Sequence, residues 1–140
     1  MKRYVLISAV VILIALTSAV YSVDFEDNTI SGLNITTDVD GAFDISQSEN
    51  KTLAILFDQD SCVYCEMLKD DVLSNPDVQK QLNENFVVLV VDINRNPDIA
   101  AEYGVYGTPT IQFVDPNGHE ISKIQGYVDS NEFMQALKEI

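Results

Sequence analysis

At 140 residues, 46% of them hydrophobic, the chain is long enough for one packed domain with a short appendage, and too apolar for wholesale disorder. Its 22 acidic residues against 8 basic ones give a net charge of −14, which phosphate backbones repel, so a nucleic-acid partner is excluded. The two cysteines are separated only by Val63 and Tyr64 and cannot staple distant parts of a domain, so the chain is not a disulfide scaffold.

The N-terminus reads as a targeting segment. Lys2 and Arg3 precede an uncharged, almost wholly apolar run from Tyr4 to Tyr21. Residues 1–22 are therefore expected to be a signal peptide cut after Ser22, or an N-terminal membrane anchor, since the run is just long enough to span a bilayer. Both outcomes keep the positive end inside and place the rest of the chain beyond the cytoplasm. Residues 23–38 are polar and read as a spacer, or as an edge strand packed loosely on the domain. Asn34-Ile35-Thr36 and Asn50-Lys51-Thr52 match the N-glycosylation pattern, a triplet common enough by chance to carry no weight here.

From residue 39 to residue 140 element types alternate. Gly41 to Glu49 is expected to be a helix, Thr52 to Phe57 a buried strand, and Cys62 to Val72 a second helix. Asn75-Pro76-Asp77 opens a third helix, with Asn as N-cap, Pro at the first position and Asp favoured by the dipole. Phe86 to Asp92 is the strongest strand signal, and Asn96-Pro97-Asp98 repeats the helix-start chemistry for a short helix ending near Gly104. Thr110 to Val114 and Glu120 to Gln125 flank a hairpin turn at Asp115-Pro116-Asn117-Gly118. A last helix starts at the cap Asp129 and presents Phe133, Leu137 and Ile140. Alternation followed by a hairpin and a helix predicts an α/β domain with a central mixed sheet flanked by helices.

Cys62-Val63-Tyr64-Cys65 follows a buried strand and opens a helix. The thiolate is the nucleophile in disulfide exchange, and the free N–H groups and dipole of a helix start stabilise it. Cys62 sits at that end and is read as the attacking thiol; Cys65, one turn in, is placed to resolve the mixed disulfide. A purely structural bridge would restrain too small a loop to matter. A zinc site wants four ligands, and the one other soft candidate is His119 in the hairpin turn. His119, the single histidine, is given no role.

These motifs carry a resemblance to thioredoxin, and more closely to exported, periplasmic thioredoxin-like domains such as the C-terminal domain of the disulfide reductase DsbD. The pieces are Cys62-Val63-Tyr64-Cys65, then Ser74-Asn75-Pro76-Asp77-Val78-Gln79-Lys80, Tyr103-Gly104-Val105-Tyr106-Gly107-Thr108-Pro109-Thr110, and Gln125-Gly126-Tyr127-Val128-Asp129. The resemblance implies a thioredoxin fold. It also implies that Pro109 is a cis-proline whose loop lies against the cysteines, with the Thr108 backbone offered to an extended substrate strand. By the same resemblance Gly126 leaves room for the substrate backbone; Tyr64, inside the cysteine motif, is read as a partly exposed packing or substrate contact.

The chain departs from the family at two places. Ser61 stands where Trp usually precedes the first cysteine, and the buried carboxylate that manages the resolving thiol's proton would fall at Leu56. Asp58, Asp60 and Glu66 lie close by and are read as a solvated rim that raises the thiol pKa. The sequence is therefore expected to encode a thiol–disulfide oxidoreductase for exported proteins, a reductase or isomerase before a strong oxidase. Its partners are protein thiols and disulfides and a redox partner protein; it is read as a monomer, with no cofactor. The competing reading is a binding module or copper chaperone that holds its partner through the cysteine pair without turnover.

Overall fold

A computed structural model describes residues 30–140; the expected signal peptide or anchor, residues 1–22, lies outside the described residues. Strand β1 (Ile35–Thr36) leads to α1 (Val39–Glu49), β2 (Thr52–Asp58) and α2 (Val63–Met67), which runs on as a π-helical segment, Leu68–Leu73. Then come α3 (Pro76–Asn85), β3 (Phe86–Asp92), α4 (Pro97–Glu102), β4 (Thr110–Val114), β5 (Glu120–Gln125) and α5 (Ser130–Lys138). The strands form one mixed sheet in the order β1-β3-β2-β4-β5, parallel from β1 to β2 and antiparallel across β4 and β5.

Side chains alternate across each strand, and both sheet faces are covered, which is why β2 and β3 read as unbroken apolar runs. Leu53, Ile55 and Phe57 of β2 join Ala42, Leu89, Val91 and Ala100 in a core beneath α1 and α4. Ala54 and Leu56 point the other way, to Leu68, Val72, Val78, Phe113 and Phe133 under α2, α3 and α5. Each fully buried Leu or Phe contributes about 1.5–3 kcal/mol relative to exposure. The same parity carries the next residue on that face, Asp58, to the α2 side at the carboxyl end of the strand.

Residues 30–38 pack on the domain at the edge of its sheet. Ile30 and Leu33 are buried in the core, and Ile35–Thr36 pairs with Val88–Leu89 at the sheet edge. Gln79 and Asn83 of α3 tie the stretch down, donating to the carbonyls of Ser31 and Gly32.

Three local expectations are corrected. Helix α1 begins at Val39, capped by the Asp38 carboxylate, which accepts the Gly41 N–H. The second helix loosens after Met67: Ser74 N–H donates to the Lys69 carbonyl, five residues back. The two Asn-Pro-Asp copies also differ. Asn75 caps α3 by accepting from the N–H groups of Asp77 and Val78, whereas Asn96 makes no side-chain cap and donates its amide to the Asp92 carbonyl.

Candidate active site

The turn from β2 into α2 sets the site. Ser61 holds φ +61°, a left-handed conformation that costs a non-glycine residue about 1 kcal/mol. The kink leaves Cys62 as the N-cap of α2, its sulfur accepting the Cys65 N–H at 3.2 Å. Cys62 and Cys65 are joined in a disulfide with their Cα atoms 5.2 Å apart. Cys62 is 8% exposed and Cys65 1%, so the residue at the helix start is the more accessible of the two.

The loop before β4 closes over this end. The Thr108–Pro109 bond is cis, and the Thr108 hydroxyl lies 3.4 Å from the Cys62 sulfur. Pro109 is buried, and its carbonyl accepts the Gly126 N–H at 2.8 Å. Thr108, Pro109 and Gly126, singled out in the sequence, line one groove of about 320 Å³ with Tyr106, Gly107, Thr110 and Gln125. Tyr64 is outside that lining; it stands 61% exposed on α2, beside Val63. Tyr106, at 90% exposure, was missed, although its place between Gly104 and the Gly107-Thr108-Pro109 turn marked an element end.

The acidic rim is corrected in one respect that matters. Leu56 is a buried core leucine, but Asp58, expected to be solvated, is 4% exposed. One carboxylate oxygen of Asp58 accepts the Gln59 N–H at 2.7 Å, and the other meets the Lys69 ammonium at 2.5 Å. Lys69 also reaches Glu66 at 3.0 Å. A carboxylate oxygen of Asp58 and the two cysteine sulfurs all lie within 4.8 Å of one another. Burial alone would lower the Lys69 pKa; its hydrogen bonds to Asp58 and Glu66 and their charges outweigh that and raise it. The missed signal was helical spacing: Lys69 sits one turn beyond Cys65 and so shares its face.

As a metal centre this arrangement falls short. Three donor atoms are one fewer than a closed zinc site needs, and the only oxygen donor among them is already bound to an ammonium. What it can do is exchange disulfides: a sulfur at a helix N-terminus, a second sulfur one turn behind, and an open groove alongside.

A strand-to-helix turn that carries a Cys-x-x-Cys pair against a cis-proline loop is the arrangement of a thioredoxin-like domain. The family model for the thioredoxin-like domain matches residues 39–140, and the chain belongs to that family. It is similar to the thiol:disulfide interchange protein DsbD of Photorhabdus laumondii, 30% identical over 101 residues that make up 69% of this chain and 18% of that protein. DsbD of Tatumella citrea is 30% identical over 112 residues, 76% of this chain and 19% of that protein. The chain thus spans less than a fifth of the length of these relatives. Among solved structures, a thioredoxin from Thermus thermophilus superposes with a TM-score of 0.70 and 28% identity, covering 77% of this chain and 86% of that one. The reduced DsbD C-terminal domain of Neisseria meningitidis gives a TM-score of 0.63 at 23% identity over 76% of this chain and 98% of that one, a likeness of fold.

Proposed function

We propose that this chain is an extracytoplasmic thiol–disulfide oxidoreductase for exported proteins, working as a reductase or isomerase. The observation that carries the reading is the Cys62–Cys65 disulfide at the start of α2, with the Thr108–Pro109 loop against it. In the reduced protein the Cys62 thiolate attacks one sulfur of a partner disulfide, and the other partner sulfur leaves as a thiolate. The Cys65 thiol then loses its proton and attacks Cys62 Sγ. The S–S bond to the partner breaks, the partner departs fully reduced, and Cys62–Cys65 is oxidised. The groove supports the way a partner is held: an extended segment pairs with the Thr108 backbone and passes over Gly126, while Tyr64 flanks it on α2.

The charged n-region and apolar run before residue 22 support export, with residues 1–22 as signal peptide or anchor and residues 39–140 as the redox domain. The DsbD relatives support a redox partner protein and thiol substrates; the chain meets them as a monomer in this reading. The test is trapping. With a disulfide-bonded model protein, Cys65→Ser should accumulate a mixed disulfide through Cys62, and Cys62→Ser should form none. A membrane-impermeant maleimide applied to intact cells should label reduced Cys62, and protection until lysis would remove the extracytoplasmic assignment.

A further inference from the structure

Exchange chemistry explains the sulfurs and the groove but leaves unexplained a buried ion pair beside them. Asp58 ends β2 with its side chain 6% exposed, and Lys69 reaches it from the π-helical segment that continues α2, across the turn that carries the cysteines. Asp58 is buried and Lys69 partly so, and taking these charges out of water carries a desolvation cost that a well-packed apolar pair would avoid. Reduction breaks only the S–S bond. The first turn of α2 still holds both sulfurs in place, with the Cys62 carbonyl accepting the N–H groups of Cys65 and Glu66. A carboxylate within 4.8 Å of both sulfurs therefore faces any thiolate that forms.

We propose that Lys69 is a positioning residue that sets the thiolate stability of Cys62, by neutralising the Asp58 carboxylate that would otherwise repel it. At a separation of this size in a poorly hydrated site, an unscreened like charge strongly disfavours ionisation of the thiol. An ammonium 2.5 Å from the same carboxylate cancels most of that field at the sulfurs. The raised pKa of Lys69 keeps it charged wherever the thiol titrates. The other groups facing Asp58 do not replace it. Glu66 on α2 and Asp60 in the turn are exposed acids, and Asp92, opposite on β3, is engaged by the N–H groups of Asn94 and Arg95 and by the Arg95 side chain. From β4 the nearest register partners are Thr110 and Ile111, which carry no charge.

The inference rests on the exchange chemistry proposed above. Its test needs no partner or turnover, so either can fail without the other. The reduced full chain is alkylated with iodoacetamide across a pH series, and the rate at Cys62 is followed by mass. Lys69→Met, which keeps the length of the stem, should move the midpoint upward by about one pH unit, roughly tenfold slower labelling below it. Asp58→Asn, which keeps the Gln59 contact, should move it downward, because the carboxylate within 4.8 Å of the sulfurs loses its charge while Lys69, still paired with Glu66, stays. The double variant should return close to the original profile, and Lys69→Arg should leave the profile near its original place. Opposite signs that cancel are the signature of charge, since lost packing would add. A folded Lys69→Met protein with an unmoved profile would overturn the proposal. If that variant does not fold, Asp58→Asn decides: no downward shift would overturn it as well.

Discussion

Gly126 donates its N–H to the carbonyl of Pro109 across the start of the β4–β5 hairpin, at 2.8 Å, with φ at +83°. That bond fixes the far wall of the groove beside Cys62, and the positive φ is why glycine stands there. A Cβ at this position would meet nothing within 4 Å, so Gly126→Ala carries a backbone penalty and no clash. The expected loss of stability is about 1–2 kcal/mol, read from the urea midpoint. The methyl also enters the groove. Reduction of a protein disulfide should slow more than reduction of a small disulfide such as oxidised glutathione. Equal slowing would separate Gly126 from the partner's path.

Order of reactivity at the pair is a second expectation. Cys62 caps the helix and is 8% exposed, against 1% for Cys65 beneath it. Near neutral pH, limited alkylation of the reduced chain should modify Cys62 well ahead of Cys65, as peptide mapping would show. Labelling at similar rates, or at Cys65 first, would reverse the roles of nucleophile and resolving thiol.

Acid should loosen the hairpin tip in a definable window. Asp115 is held at a pKa of about 2, below its ordinary 3.8, first by the backbone N–H of His119 and then by the His119 side chain and the Asn117 N–H. A depressed carboxyl contributes stability that is complete above the ordinary value and lost as pH falls through the folded value. Between pH 4 and pH 2, therefore, the stability of the native chain should fall more steeply than that of Asp115→Asn, measured by denaturant midpoints. Parallel pH profiles would show that the turn does not depend on the charge.

Sequence pattern exposed most of the sheet and hid the charge around the thiols. β2, β3 and β4 were legible because apolar runs map directly onto buried strands, β5 because the turn at residues 115–118 sets it opposite β4, and the Cys-x-x-Cys turn because strand and helix flank it. The π-helical stretch was not, since Leu68, Val72 and Leu73 fit a helix of either pitch. The cap at Asn96 was misread because its amide donates to the Asp92 carbonyl four residues back, a local alternative open to the same side chain. Asp58 looked like one more exposed acid in an acidic chain. Only the turn that folds α2 back over the end of β2 brings Lys69 to it.

The pair should be a weak oxidant. A strongly oxidising pair needs a deeply stabilised thiolate on its nucleophile. The start of α2 supplies part of that, through its dipole and the Cys65 N–H on Cys62 Sγ. Among the described residues the other hydrogen-bond donor to that sulfur is the Thr108 hydroxyl, which like the amide carries no charge of its own. Asp58 is offset by Lys69, while Asp60 and Glu66 are exposed and act against the thiolate through screened charge. The sum favours a potential nearer the value of about −270 mV for thioredoxin than about −120 mV for the strong oxidant DsbA. Equilibration in dithiothreitol and glutathione buffers, with free thiols counted at each ratio, places the midpoint. A midpoint at the oxidising end would mean that the helix start dominates every local charge, and the preference for reductase or isomerase over oxidase would fall with it.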